Sequence, residues 1–167
     1  MPEHWLDSLD SETRVKARKM ITRMKELGAE EPEAWVESEI TEDVAQMARF
    51  LILRRLWSDL DAWSSDPSAW IEREISASEE KPESLFSEVG HALKRMVEAG
   101  VSLADVGKVA QMVAYEATFN TLNLIDECGD PDEEGDDLPG WMLVETDAEG
   151  EMTGRAVVGL HEDLFAR

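Results

Sequence analysis

The densest chemistry in the chain is carboxylate. Between positions 126 and 137, eight of twelve residues are acids: Asp126, Glu127, Asp130, Asp132, Glu133, Glu134, Asp136 and Asp137. Crowded carboxylates relieve their repulsion by taking up a hard divalent cation such as Ca²⁺ or Mg²⁺. Asp130, Asp132, Glu134 and Gly135 follow the first half of a calcium-loop pattern. The second half departs from it, because Leu138 and Trp141 stand where an oxygen ligand and a glutamate are needed. The segment therefore reads as a solvated acidic loop, with Gly129, Pro131 and Gly135 keeping it out of regular structure.

Imidazoles and thiols add little that is organised. His4 lies near the start of the chain. His91, with Glu88, Glu116 and Asp126, makes the one set of side chains from which separate helices could build a carboxylate metal site, but the paired Glu-x-x-His motif is missing. Glu116 stands out because it is the only charge between Lys108 and Asp126. If enclosed, its pKa would rise unless a partner compensated it. His161 is followed by Glu162 and Asp163, and its imidazole is suited to pairing with a carboxylate from elsewhere. Cys128 stands among acids, which would raise its pKa and weaken it as a nucleophile. Gly150, Gly154 and Gly159 lack the lysine of a phosphate loop and read as turn residues. No catalytic constellation emerges, and neither a cofactor nor a resident metal is expected.

Tryptophan gives a stronger signal. Six occur in 167 residues, and tryptophan is enriched at the centres of protein interfaces. Trp57 and Trp63 lie on different parts of one helical stretch, so at least one is expected outside the core. Trp141 follows the acidic loop. Trp57, Trp63 and Trp141, with Asp130, Asp132, Glu133, Glu134, Asp136 and Asp137, form the expected partner-binding set. Trp35 and Trp70 fall at matching places in a short echo: residues 31–40 and 66–75 share acid-Pro-x-Ala-Trp-aliphatic-Glu-x-Glu-Ile. Two copies without a third suggest a helix reused as a bundle corner rather than a solenoid.

These residues must be positioned mainly by helices. Apolar residues recur at helical spacing over 13–27, 32–40, 42–63, 82–98 and 103–126. Gly28 and Gly100 read as stops, Pro32 and Pro67 as first-turn prolines, and Ser102 as a cap. Leu85, Phe86, Val89, Leu93, Met96 and Val97 are expected to form a buried stripe, and 103–126 to be the buried central helix. Residues 141–146 read as a strand turning at Asp147-Ala-Glu-Gly150, with a return strand in 151–154 or 155–159 and a short helix over 160–166. The expected fold is mainly α, a multi-helix bundle with a small C-terminal β-hairpin. Its expected parts are a bundle over 1–127, an acidic loop over 128–140, and a hairpin with a terminal helix over 141–167 packed on the bundle.

Charge bounds the function. Thirty-eight acids against 16 bases give a net charge of −22, and residues 126–167 alone hold 14 acids and 2 bases. Such a chain repels nucleic acid and anionic membranes. One cysteine and an acidic start without an apolar run point to the cytoplasm. The basic residues Arg14, Arg18, Lys19, Arg23 and Lys25, with Arg54 and Arg55, are expected to pair with the acids of 30–43, and Arg155 to form a salt bridge or bind an acidic partner group. The composition favours a non-catalytic protein-protein interaction domain, homodimeric or acting as an acidic partner of a basic protein. An antitoxin-like, immunity-like or nucleic-acid-mimicking protein is the variant of that reading, and a carboxylate-rich metal-binding protein or enzyme the alternative. Few lysines (6, against 10 arginines) and many acids also suit a salt-rich cytoplasm.

Overall fold

A computed structural model describes residues 4–128 and 139–165. After a short 3-10 turn at His4–Ser8 come six helices: α1 (Ser11–Glu26), α2 (Pro32–Glu42), α3 (Gln46–Ser65), α4 (Pro67–Glu80), α5 (Ser87–Glu98) and α6 (Leu103–Asp126). Two antiparallel strands follow, β1 (Val144–Thr146) and β2 (Met152–Ala156), with Val144 opposite Ala156 and Thr146 opposite Met152. The architecture is an all-α multi-helix bundle with a C-terminal hairpin. It divides into two compact units, residues 1–55 with 119–167, and residues 56–118. The hairpin thus belongs with the N-terminal helices.

In the first unit α1 begins where Asp10 accepts the backbone N–H groups of Glu12 and Thr13 and the Thr13 hydroxyl. The Thr13 hydroxyl bond, above all, holds the Asp10 carboxyl below its ordinary pKa. The helix ends at Gly28, whose φ of +89° lets the Ala29 N–H close back on the Met24 carbonyl. Ala17, Ile21 and Met24 face inward, and Lys25 pairs with Glu33 on α2. The core is completed by Leu6, Val36, Phe50, Leu53, Leu122, Val157, Leu160 and Leu164. Trp35 meets Phe50 edge-on, with ring centroids 5.8 Å apart.

Two expectations fail in this unit. Helix α3 does not start at Glu42. Asp43 turns left-handed (φ 54°), and the helix restarts at Gln46 because a side chain of α2 caps it, as described below. The helix expected over 160–166 is a turn across 160–165. Gly159 at φ +70° reverses the chain, and Arg49 holds the turn from both sides, through the Gly159 carbonyl and Asp163.

In the second unit α4 opens at Pro67 with Asp66 capping Ala69 N–H. Trp70, Ile71 and Leu93 form its core, with Ile75, Leu103, Val106 and Ala110 packed against them. Trp70 stacks edge-on to Trp63 at 5.2 Å and donates its indole N–H to the Trp63 carbonyl. Glycines set the close approaches. A Cβ on Gly90 of α5 would run into Ser78 and the Glu74 carbonyl of α4, and one on Gly107 would lie 2.9 Å from Pro67 and from the Trp63 carbonyl. Lys94 on α5 reaches Glu79 on α4 at 2.7 Å.

The expected buried stripe is a correction. Of Leu85, Phe86, Val89, Leu93, Met96 and Val97, only Leu93 is buried. The face of α5 that meets α4 is instead Ser87, Gly90 and Leu93, where small residues admit a neighbouring backbone. Nor is α6 a buried central helix: Val109, Met112, Val113 and Leu124 are exposed, and Asn120 and Thr121 lie open to solvent. Helix α5 begins at Ser87 rather than 82, after a turn over 82–86.

Two outcomes test this packing. Gly90→Ala should destabilise the protein by about 1–3 kcal/mol through overpacking, read by urea denaturation. Lys94 holds Glu79 below its ordinary pKa, first through the hydrogen bond and then through its charge. The pair therefore contributes at pH above the ordinary glutamate value and is lost as pH falls through the depressed one. An NMR titration should place the Glu79 midpoint low in the wild type and at its ordinary value in Lys94→Met.

Candidate functional site

Arg155 on β2 gathers the most polar contacts in the first unit. Its guanidinium reaches the Glu39 carboxylate at 3.0 Å, the Glu145 carboxylate through two nitrogens at 2.6–2.9 Å, and the Val44 carbonyl at 3.3 Å. Glu39 is only 3% exposed at its side chain. Its other oxygen accepts the Met47 backbone N–H at 2.7 Å. One buried carboxylate of α2 thereby caps the first turn of α3 and anchors β2. Burial opposes the charge of Arg155, but the bonds to Glu145 and Glu39 outweigh it and raise the pKa. The salt bridge expected of Arg155 is present, with Glu145 and Glu39 as its partners. The network holds structure together rather than presenting a reactive atom.

His161 and Asp126 form the second polar constellation. The imidazole Nδ1 lies 2.7 Å from Asp126 Oδ2, and the His161 backbone N–H also points to that oxygen at 3.3 Å. The Asp126 side chain is 7% exposed and its Oδ1 has no hydrogen-bond partner among the described residues. Phe119 meets the imidazole edge-on at 5.6 Å. A carboxylate on Nδ1 orients an imidazole, as it does in acid–base sites. Here the pair also ties the 160–163 turn to the end of α6.

The expected metal ligands are Glu88, His91, Glu116 and Asp126. Glu88 lies 3.8 Å from His91 on α5, and Asp126 belongs with His161. Glu116 is exposed rather than enclosed. No group of three or more His, Cys, Asp or Glu suited to a metal occurs among the described residues. Cys128 is exposed, with its thiol 3.3 Å from the Asp126 carbonyl.

Of the expected partner-binding residues, the structure describes the three tryptophans. Trp63 is exposed and is in edge-on contact with Trp70. Trp57 is half-buried. Trp141 is exposed, and its indole N–H is bonded to the Leu124 carbonyl at 3.0 Å. Asp130, Asp132, Glu133, Glu134, Asp136 and Asp137 lie outside the described residues. No helix among the described residues is long and apolar enough to cross a membrane.

Exposed apolar side chains occur in both units, among them Met142, Met152 and Phe165 in the first, and in the second they run along two helices. Leu85 (87% exposed) and Phe86 precede α5, and Val89, Met96 and Val97 lie on it. Val101 leads into α6, where Val109, Met112 and Val113 are 64%, 60% and 58% exposed. The α6 residues fall at i, i+3 and i+4, so they share one face. Sequence reasoning found all these side chains except Val101 but assigned them to a core. A helix apolar around most of its circumference is either central or faces a partner, and periodicity alone does not separate the two. Gly90 and Gly107 are the signal that would have: a glycine inside a helix marks its side of closest packing.

The chain matches no protein-family model, no curated protein and no solved structure.

The ion network yields a stability test. Arg155→Met leaves Glu39 buried without its counter-charge and should cost about 3–5 kcal/mol. Thermal and urea melts should show that loss, and a variant near wild-type stability would remove Arg155 from its structural role.

Proposed function

We propose that this chain is a non-catalytic protein-protein interaction domain, acting in the cytoplasm, that docks through the exposed apolar residues of α5 and α6. The observation that carries the reading is the run of exposed aliphatic side chains on those helices, beside a small and well-packed core. Monomeric proteins seldom expose apolar patches beyond a few hundred Å² unless they bind something. Single exposed valines are ordinary, but nine large apolar residues within 85–113 are not. The polar constellations of the first unit each tie two elements together, Arg155 to α2 and His161 to the end of α6.

A second reading is an acidic partner of a basic protein, in the manner of an antitoxin or immunity protein. It is favoured by the 14 acids against 2 bases of residues 126–167. The two readings differ in salt dependence. Docking through charge weakens steeply as salt rises, whereas apolar docking does not.

A photo-crosslinking amino acid placed at position 109 or 113 in the producing cell tests the leading reading. Protein adducts should form from both positions and not from position 16, on the exposed polar side of α1. Adducts from position 16 alone, or from none of the three, would overturn it. Adducts whose yield falls steeply between low and moderate salt would favour the acidic-partner reading.

A further inference from the structure

We propose that the occupant of the α5–α6 face is a second copy of this chain, in a two-fold dimer centred on α6. The inference rests on the docking reading above and names its partner. Three observations lead to it.

The first is charge. The molecule carries −22, and any second copy must approach against that repulsion. Residues 82–125 hold five acids and three bases, a net of only −2. The apolar face therefore lies on the stretch where self-repulsion is least. A strongly basic partner would find its counter-charge on other parts of the chain.

The second is area. The nine exposed apolar residues from Leu85 to Val113 present on the order of 900 Å² of accessible surface, against roughly 800 Å² per partner in a standard-size interface. They flank one core: Val109 and Val113 neighbour Val106 and Ala110 on α6, and Val89 and Met96 neighbour Leu93 on α5. An isologous dimer uses the same patch twice, so a single patch of this size suffices.

The third is self-complementarity along α6. Lys108 and Glu116 stand four residues to either side of Met112. Both are exposed, and the contact of Lys108 within its own chain is a loose one, 3.8 Å from Asp105. Antiparallel apposition of two α6 helices about Met112 sets each Lys108 against the partner's Glu116. The two-fold axis makes that pairing twice, with Val109, Met112 and Val113 enclosed between the pairs.

Sedimentation equilibrium of the full chain across a dilution series tests the proposal. The wild type should be a dimer that dissociates on dilution. Val109→Lys with Val113→Lys should be monomeric, with the helical circular dichroism of the wild type. Lys108→Glu and Glu116→Lys should each weaken the dimer by roughly tenfold. The double reversal Lys108→Glu/Glu116→Lys should restore it, which a variant that merely misfolds would not do. A dimer indifferent to the Val109 and Val113 changes would overturn the proposal by placing the contact elsewhere. A wild type that stays monomeric to about 100 μM would also overturn it. In that case crosslinks from 109 and 113 to a different protein would leave the docking reading standing, and no crosslinks would end both.

Discussion

Glu39 carries more of the first unit than any other side chain. It is a carboxylate removed from water, and such a group is tolerated only where its lone pairs are filled. The chain fills them with the Met47 N–H and with Arg155. Those two bonds explain features that otherwise look unrelated. They explain why α2 and α3 are separated by a left-handed residue instead of running together, and why β2 lies where its arginine can reach α2. Arg155 in turn fixes Glu145 on β1 and the Val44 carbonyl. A two-stranded hairpin is marginal alone, and this one is anchored by a charge it shares with the helices.

The second unit is organised by the opposite means. Its closest packing comes from what is missing, the side chains of Gly90 and Gly107. Helix backbones come near enough there for Trp70, Ile71 and Leu93 to make a compact core. The larger aliphatic residues of α5 and α6 are then left on the outside. This unit thereby gains a surface at the same positions where a simple amphipathic reading places an interior.

Local features of the fold were legible in the sequence, and non-local ones were not. The span of α6 could be read to its ends, because Ser102 and the glycine before it mark the start and the acids after Ile125 mark the finish. The first-turn prolines of α2 and α4 announced those helices equally plainly. The start of α3 was misplaced because its cap is Glu39, a side chain from another helix. Arg155 invited a salt bridge by its isolation among acids, yet nothing near it in sequence pointed to a residue 116 positions away. The apolar faces of α5 and α6 were visible as faces, but what covers a face depends on neighbours that periodicity does not name.

The echo helices α2 and α4 fall one in each unit, and each does the same work. Val36 and Ile71, at matching places, are fully buried, and Trp35 and Trp70 each meet an aromatic ring of α3 edge-on. These aromatic contacts span few residues, from 35 to 50 and from 63 to 70. The contact between Glu39 and Arg155 spans 116. Closing the longer loop costs about 2 kcal/mol more chain entropy than closing the Trp35 one. The two units therefore differ in what their assembly asks of the chain. The second draws on near neighbours, while the first must bring its far end home, and the buried ion network is the contact that repays that search.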